Sequence, residues 1–287
     1  MKLSDKALLV QLSISQWSAR KYDKRVTQEI AHNFGVSGSA VDVGRYNKNL
    51  LPIDDFLADV HQKARQIRTA FYENTLPWGL EGAQILPSKN YLGFISAFRQ
   101  DKSEWEYLVD IFLQEYPRLK AEAKRIVPAG MYKEEDYPSL EDMRAKFKID
   151  LAVFPVPSGD FRVELADDEL ARIQAEVENR AEMGGQRAMK EAWQRLYTRV
   201  EKMVEKLSDP KAIFRDSMVE HVREICSILP NLNFADDPNL EAMRQEVEAK
   251  LANQNADSLR LDPALRADKA AEAKDIMSKM GAFMGGI

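Results

Sequence analysis

Apolar and polar residues alternate from residue 8 to 14, with Leu8, Val10, Leu12 and Ile14 on one parity, and this predicts a strand with one buried face. A second apolar run, 149–156, leads through Pro157-Ser158-Gly159-Asp160 into residues 161–165, which reads as strand, turn, strand. Pro155 and Pro157 cannot donate ladder hydrogen bonds, so that end belongs at an edge or a strand terminus. An isolated hairpin is marginal in water, so residues 8–15 are expected to join it in a small antiparallel sheet.

Elsewhere the period is helical. Asp23 is placed to cap a helix carrying Val26, Ile30 and Phe34, which Gly35 ends, and Asp54 opens another with Leu57, Val60, Ala64, Ile67 and Phe71. Residues 76–87 read as a loop, residues 88–99 as a helix, and Ser103 with Glu106 has capping-box spacing for a further helix that Pro117 should kink or split. From Leu170 to Leu207 small or apolar residues recur every 3.7 positions, the signature of one long helix. Gly184-Gly185 inside it predicts a bend or a close helix contact. Asp209-Pro210, Asp237-Pro238 and Asp262-Pro263 each place a capping carboxylate before a proline, and three more helices are expected near 210–229, 238–252 and 263–284. The pattern as a whole predicts an α+β protein, predominantly α-helical. A body over 1–165 would hold the small sheet, and 166–287 would form long helices, a bundle or coiled-coil-like arm.

Charge changes this picture along the chain. Residues 1–75 hold 11 Lys and Arg against 8 Asp and Glu, whereas 76–287 hold 30 against 38, so any basic face lies early. A net charge of −5 argues against a protein whose whole surface tracks phosphates. The single cysteine, Cys226, excludes an internal disulfide and fits a reducing compartment. The first ten residues, MKLSDKALLV, lack the pattern of a secretory signal, and the chain contains no apolar run long enough for a membrane span.

Residues 29–41, EIAHNFGVSGSAV, raise the question of DNA recognition, because helix, glycine turn and second helix is the order of a helix-turn-helix. Arg20, Lys21, Lys24, Arg25, Arg45 and Lys48 are the candidate phosphate contacts. Against this, a strand pattern precedes the first helix, Gly38 and Gly44 interrupt the second segment, and Asp42 would repel a phosphate. The alternative is a helix followed by a glycine-rich loop packed on the front-half core.

Catalytic patterns are thin. His32, His61 and His221 share no metal-ligand spacing, and P-loop, Rossmann and nucleophile-elbow motifs are missing from the sequence. Asp167-Asp168 reads as a helix start satisfying free N–H groups, and Cys226 as a buried thiol on an apolar stripe with Val219, Val222 and Leu229. The reading is therefore no catalytic, cofactor or metal site. In the tail, Met277, Met280, Phe283 and Met284 form an adaptable stripe, either a partner-docking surface or the closure of the bundle.

The motifs WSARKYDKRVTQEIA, GRYNKNLLP, FYENTLPW, EEDYPSLEDMRAKFKI, PVPSGDFRVEL, AWQRLYTRV, IFRDSMVEHVREICSILPNLN and MSKMGAFM span nearly the whole chain. Together they resemble a family of tailed-bacteriophage proteins with no assigned catalytic or binding residues. The resemblance implies a phage protein of the host cytoplasm, from genes sometimes found near MoxR-type AAA+ ATPases. The expected function is non-enzymatic: an adaptor, oligomeric assembly or antagonist that binds a protein partner, such an ATPase among the possibilities, or itself. The other expectation is a nucleic-acid-binding protein using the early basic residues.

Overall fold

A computed structural model describes residues 2–52, 54–79, 82–160, 166–209 and 211–285. The chain is an α+β protein, predominantly α-helical, with a small antiparallel sheet. It divides into two compact units, both discontinuous in sequence. The first draws on residues 1–12, 69–97 and 151–287, the second on 13–68 and 98–150.

The sheet of the first unit is built on β1 (Ala7–Ser15). It pairs antiparallel with β5 (Ala83–Pro87), Leu9 opposite Ile85, and β5 pairs in turn with β4 (Leu76–Pro77). The fourth strand, β6 (Lys148–Pro155), lies on the other side of β1 and ends, as its prolines predict, at Pro155. The expected partnership of residues 8–15 with 149–156 is therefore present, while residues 161–165, the expected return strand, lie outside the described residues. The expected loop 76–87 is instead the hairpin β4–β5. Its prolines and glycines read as loop locally, but the backbone of Gln84, Ile85 and Leu86 is paired with β1. The start of β1 is also buried on both faces, since Ala7, Leu9 and Val10 are all enclosed.

The helices of this unit pack on α6 (Asp167–Ser208), which runs unbroken for 42 residues, about 63 Å at the usual rise. Its apolar seam buries Ala188, Ala192, Trp193, Leu196, Val200, Met203 and Leu207 against α7 (Asp216–Leu232), α8 (Pro238–Val247) and α10 (Pro263–Met284). Gly184 serves a close approach, but to an indole rather than a helix: a Cβ there would stand 2.5 Å from Cζ3 of Trp78. Asp237 and Asp262 cap α8 and α10 as expected, each accepting from two backbone N–H groups with proline at the first position. Trp193 Nε1 also donates to Asp237 Oδ2 at 2.9 Å, which ties the centre of the α6 seam to the cap of α8.

Asp209 behaves differently. Its carboxylate accepts from Lys211 N at 2.9 Å, but the next helix starts at Asp216; Pro210 itself is outside the described residues. The cause is Arg266, whose guanidinium collects the carbonyls of Lys206, Leu207, Asp209 and Ala212. That closes the C-terminus of α6 with positive charge and holds the chain in a turn. A short helix, α9 (Ala256–Leu261), capped by Asn255, was not foreseen.

The second unit contains the ribbon β2 (Arg20–Tyr22) with β3 (Asn47–Asn49), the helices α1 (Lys24–Asn33), α2 (Ala40–Val43) and α5 (Leu140–Ala145), and most of α3 (Phe56–Glu73) and α4 (Tyr91–Ile126). Asp23 and Asp54 cap their helices as expected, accepting from Val26 N and Leu57 N. α4 is continuous through both Ser103 and Pro117, so the expected break and split are absent. No break occurs at 103, and Lys63 Nζ bridges Asp101 at 2.8 Å and Glu104 at 2.5 Å on that stretch of the helix. The core is aromatic: Trp17, Phe112, Tyr116, Trp105 and Phe147 meet with ring centroids 5.7 to 6.3 Å apart.

Candidate functional site

Both halves of the second unit's basic segment are set by one ion cluster. In the β2–β3 ribbon Lys21 stands opposite Lys48, and both ammonium groups turn toward Asp136, at 4.0 and 2.7 Å. Lys48 is the buried one, its side chain 5% exposed. It also donates to Met131 O at 2.6 Å and lies 3.8 Å from Asp23, the residue that caps α1. A buried ammonium is tolerable only when so compensated. Beside it Tyr132 and Tyr137 stack at 5.0 Å, and burial pushes both phenols up to about 12. Tyr137 therefore keeps the proton it donates to Leu50 O at 2.8 Å.

Lys48 is thus a structural ion and not a phosphate contact, which corrects the sequence expectation. Arg25 is partly engaged, pairing with Glu29 at 3.0 Å and donating to Gly130 O at 2.9 Å. Arg20, Lys21, Lys24, Arg25 and Arg45 remain exposed. Lys21, Lys24 and Arg25 line an open polar depression of ≈ 750 Å³, but Asp23, Glu135 and Asp136 line it too.

The stretch 29–41 forms the elements its sequence suggested, with different proportions. Thr27 is buried and joins α1 to the strand side, its hydroxyl donating to Asp23 O at 2.8 Å and accepting from Tyr46 N at 3.0 Å. Gly35, at φ +65°, ends α1 in the left-handed conformation that glycine adopts freely, and Gly38, at φ +123°, turns the chain again. The second helix has four residues, about 6 Å, too short to lie in a DNA major groove as a reading helix. Nor is the loop packed on a core.

Between α1 and α2 lies an open cleft of ≈ 300 Å³ lined by Ile30, Ala31, Phe34, Val36, Ala40 and Val43, together with Arg45 and Tyr46. Ile30 is 42% exposed, Val43 70% and Phe34 82%. Leaving a phenylalanine in water forgoes on the order of 2 kcal/mol of burial. Grouped apolar side chains of this kind mark contact surfaces more often than isolated ones do.

The terminal stripe is used inside the first unit. Met280 is fully buried, Met277 and Met284 pack against the core, and Phe283, 37% exposed, meets Trp193 with ring centroids 5.8 Å apart. Cys226 is buried as predicted, and burial pushes its thiol up to about 12, the form that does not attack electrophiles. Asp167 and Asp168 occupy the first turn of α6. His61 meets Trp17 O at 2.8 Å, while His32 and His221 lie at the surface.

The first unit also holds a groove of ≈ 700 Å³ lined by Leu3, Ala181, Met189 and Phe234, with the Lys2–Glu178 ion pair at 2.9 Å on its wall. Among the described residues no group of three or more His, Cys, Asp or Glu is placed to hold a metal ion, and no helix is long and apolar enough to cross a membrane. No protein-family model, curated protein or solved structure matches the chain.

Of the cleft residues, Ile30, Ala31, Phe34, Val36 and Ala40 fall within the stretch 29–41 that the sequence singles out, there as part of a DNA reader, while Val43, Arg45 and Tyr46 lie beyond it. The signal available was Ile30 and Phe34 four apart on a helix whose other faces are polar.

Proposed function

We propose that this chain is a non-enzymatic bacteriophage protein of the host cytoplasm that works by binding a protein partner through the cleft between α1 and α2. The observation that carries this reading is the exposure of Phe34, Val43 and Ile30 around one concavity, at 82%, 70% and 42%. An adaptor, an oligomeric assembly or an antagonist of a host or phage factor, an AAA+ ATPase among them, would each use such a surface. The resemblance of the motifs to tailed-phage proteins supports the setting. The test is affinity capture from phage-infected cells with the wild-type chain and with Phe34→Asp, with and without nuclease. A stoichiometric protein that survives nuclease and is lost with Phe34→Asp is the expected result; equal recovery by both chains contradicts the reading.

A second reading, nucleic-acid binding, is supported by the exposure of Arg20, Lys21, Lys24, Arg25 and Arg45 on adjoining elements. It predicts binding that falls steeply with salt and is abolished when Arg20, Lys24 and Arg45 are changed to Glu.

A further inference from the structure

We draw no further inference here: the strongest candidate, the apolar groove of the first unit lined by Leu3, Ala181, Met189 and Phe234, has Lys2 and Glu178 on its wall paired with one another, and nothing in the structure shows what covers it.

Discussion

From Gly184 to Leu207, α6 places Ala188, Ala192, Leu196, Val200, Met203 and Leu207 three or four residues apart, and every one is buried. At the end of α1, Ile30 and the C-cap residue Phe34 are also four apart and stand 42% and 82% exposed. The periodicity that makes each a helix is the same; the difference lies in what the rest of the chain brings to the face. Trp78, Phe214, Leu240 and Ile276 belong to the cluster that covers α6. α1 receives one turn of α2 and two glycines, with too few apolar atoms to close the cleft. One face is a core and accounts for stability; the other stays in solvent.

That contrast can be broken most severely at Trp193. Truncation of this fully buried indole in Trp193→Ala removes the seam's largest side chain and the hydrogen bond to Asp237, and should cost about 3–5 kcal/mol in urea unfolding. Next is Gly184→Ala. The new methyl gains roughly 1 kcal/mol of helix propensity but collides with the Trp78 ring, so a net loss on the order of 1–2 kcal/mol is expected from overpacking, seen as a lower thermal midpoint.

The pH dependence at Cys226 is subtler. Because its thiol is raised to about 12 in the fold from an ordinary value near 9, the unfolded chain loses that proton first as pH rises. The group's contribution is complete below pH 9 and declines from there toward 12, and Cys226→Ala should flatten this part of the alkaline stability profile. At about pH 8 the folded thiol should react with iodoacetamide much more slowly than in urea, followed by mass spectrometry. The smallest effect sharpens the contrast from the other side: Phe34→Asp should change the unfolding free energy by no more than about 0.5 kcal/mol, because the side chain has little packing to lose.

Much of the fold was legible. Asp23, Asp54, Asp237 and Asp262 announced four helix starts, the 3.7-residue period announced α6, and β1 was read from its alternation. What escaped depends on partners distant in sequence. The backbone of residues 83–87 is a strand because β1 pairs with it, and Asp209 fails to open a helix because Arg266 takes the carbonyls around it. α4 passes Ser103 without a break, and its residues Asp101 and Glu104 there meet Lys63 from a distant part of the sequence.

The candidate site shows the same limit. Half of its residues lie in the stretch 29–41, whose glycine turn suggests a DNA reader. Yet the burial of Lys48 depends on Asp136 and Met131, contributed by another part of the chain, and the exposure of Phe34 depends on what does not pack there. Spacing encodes which residues share a face and leaves open whether that face is covered.

The central claim, that the α1–α2 cleft is a contact surface rather than an unfinished core, is tested most directly by placing a photocrosslinking amino acid at position 34 and, as control, at the exposed polar position Gln28 on the same helix. In phage-infected cells, irradiation should join residue 34 to one discrete protein in good yield while residue 28 gives little or a different product. No adduct at 34, or the same diffuse pattern at both positions, would contradict it.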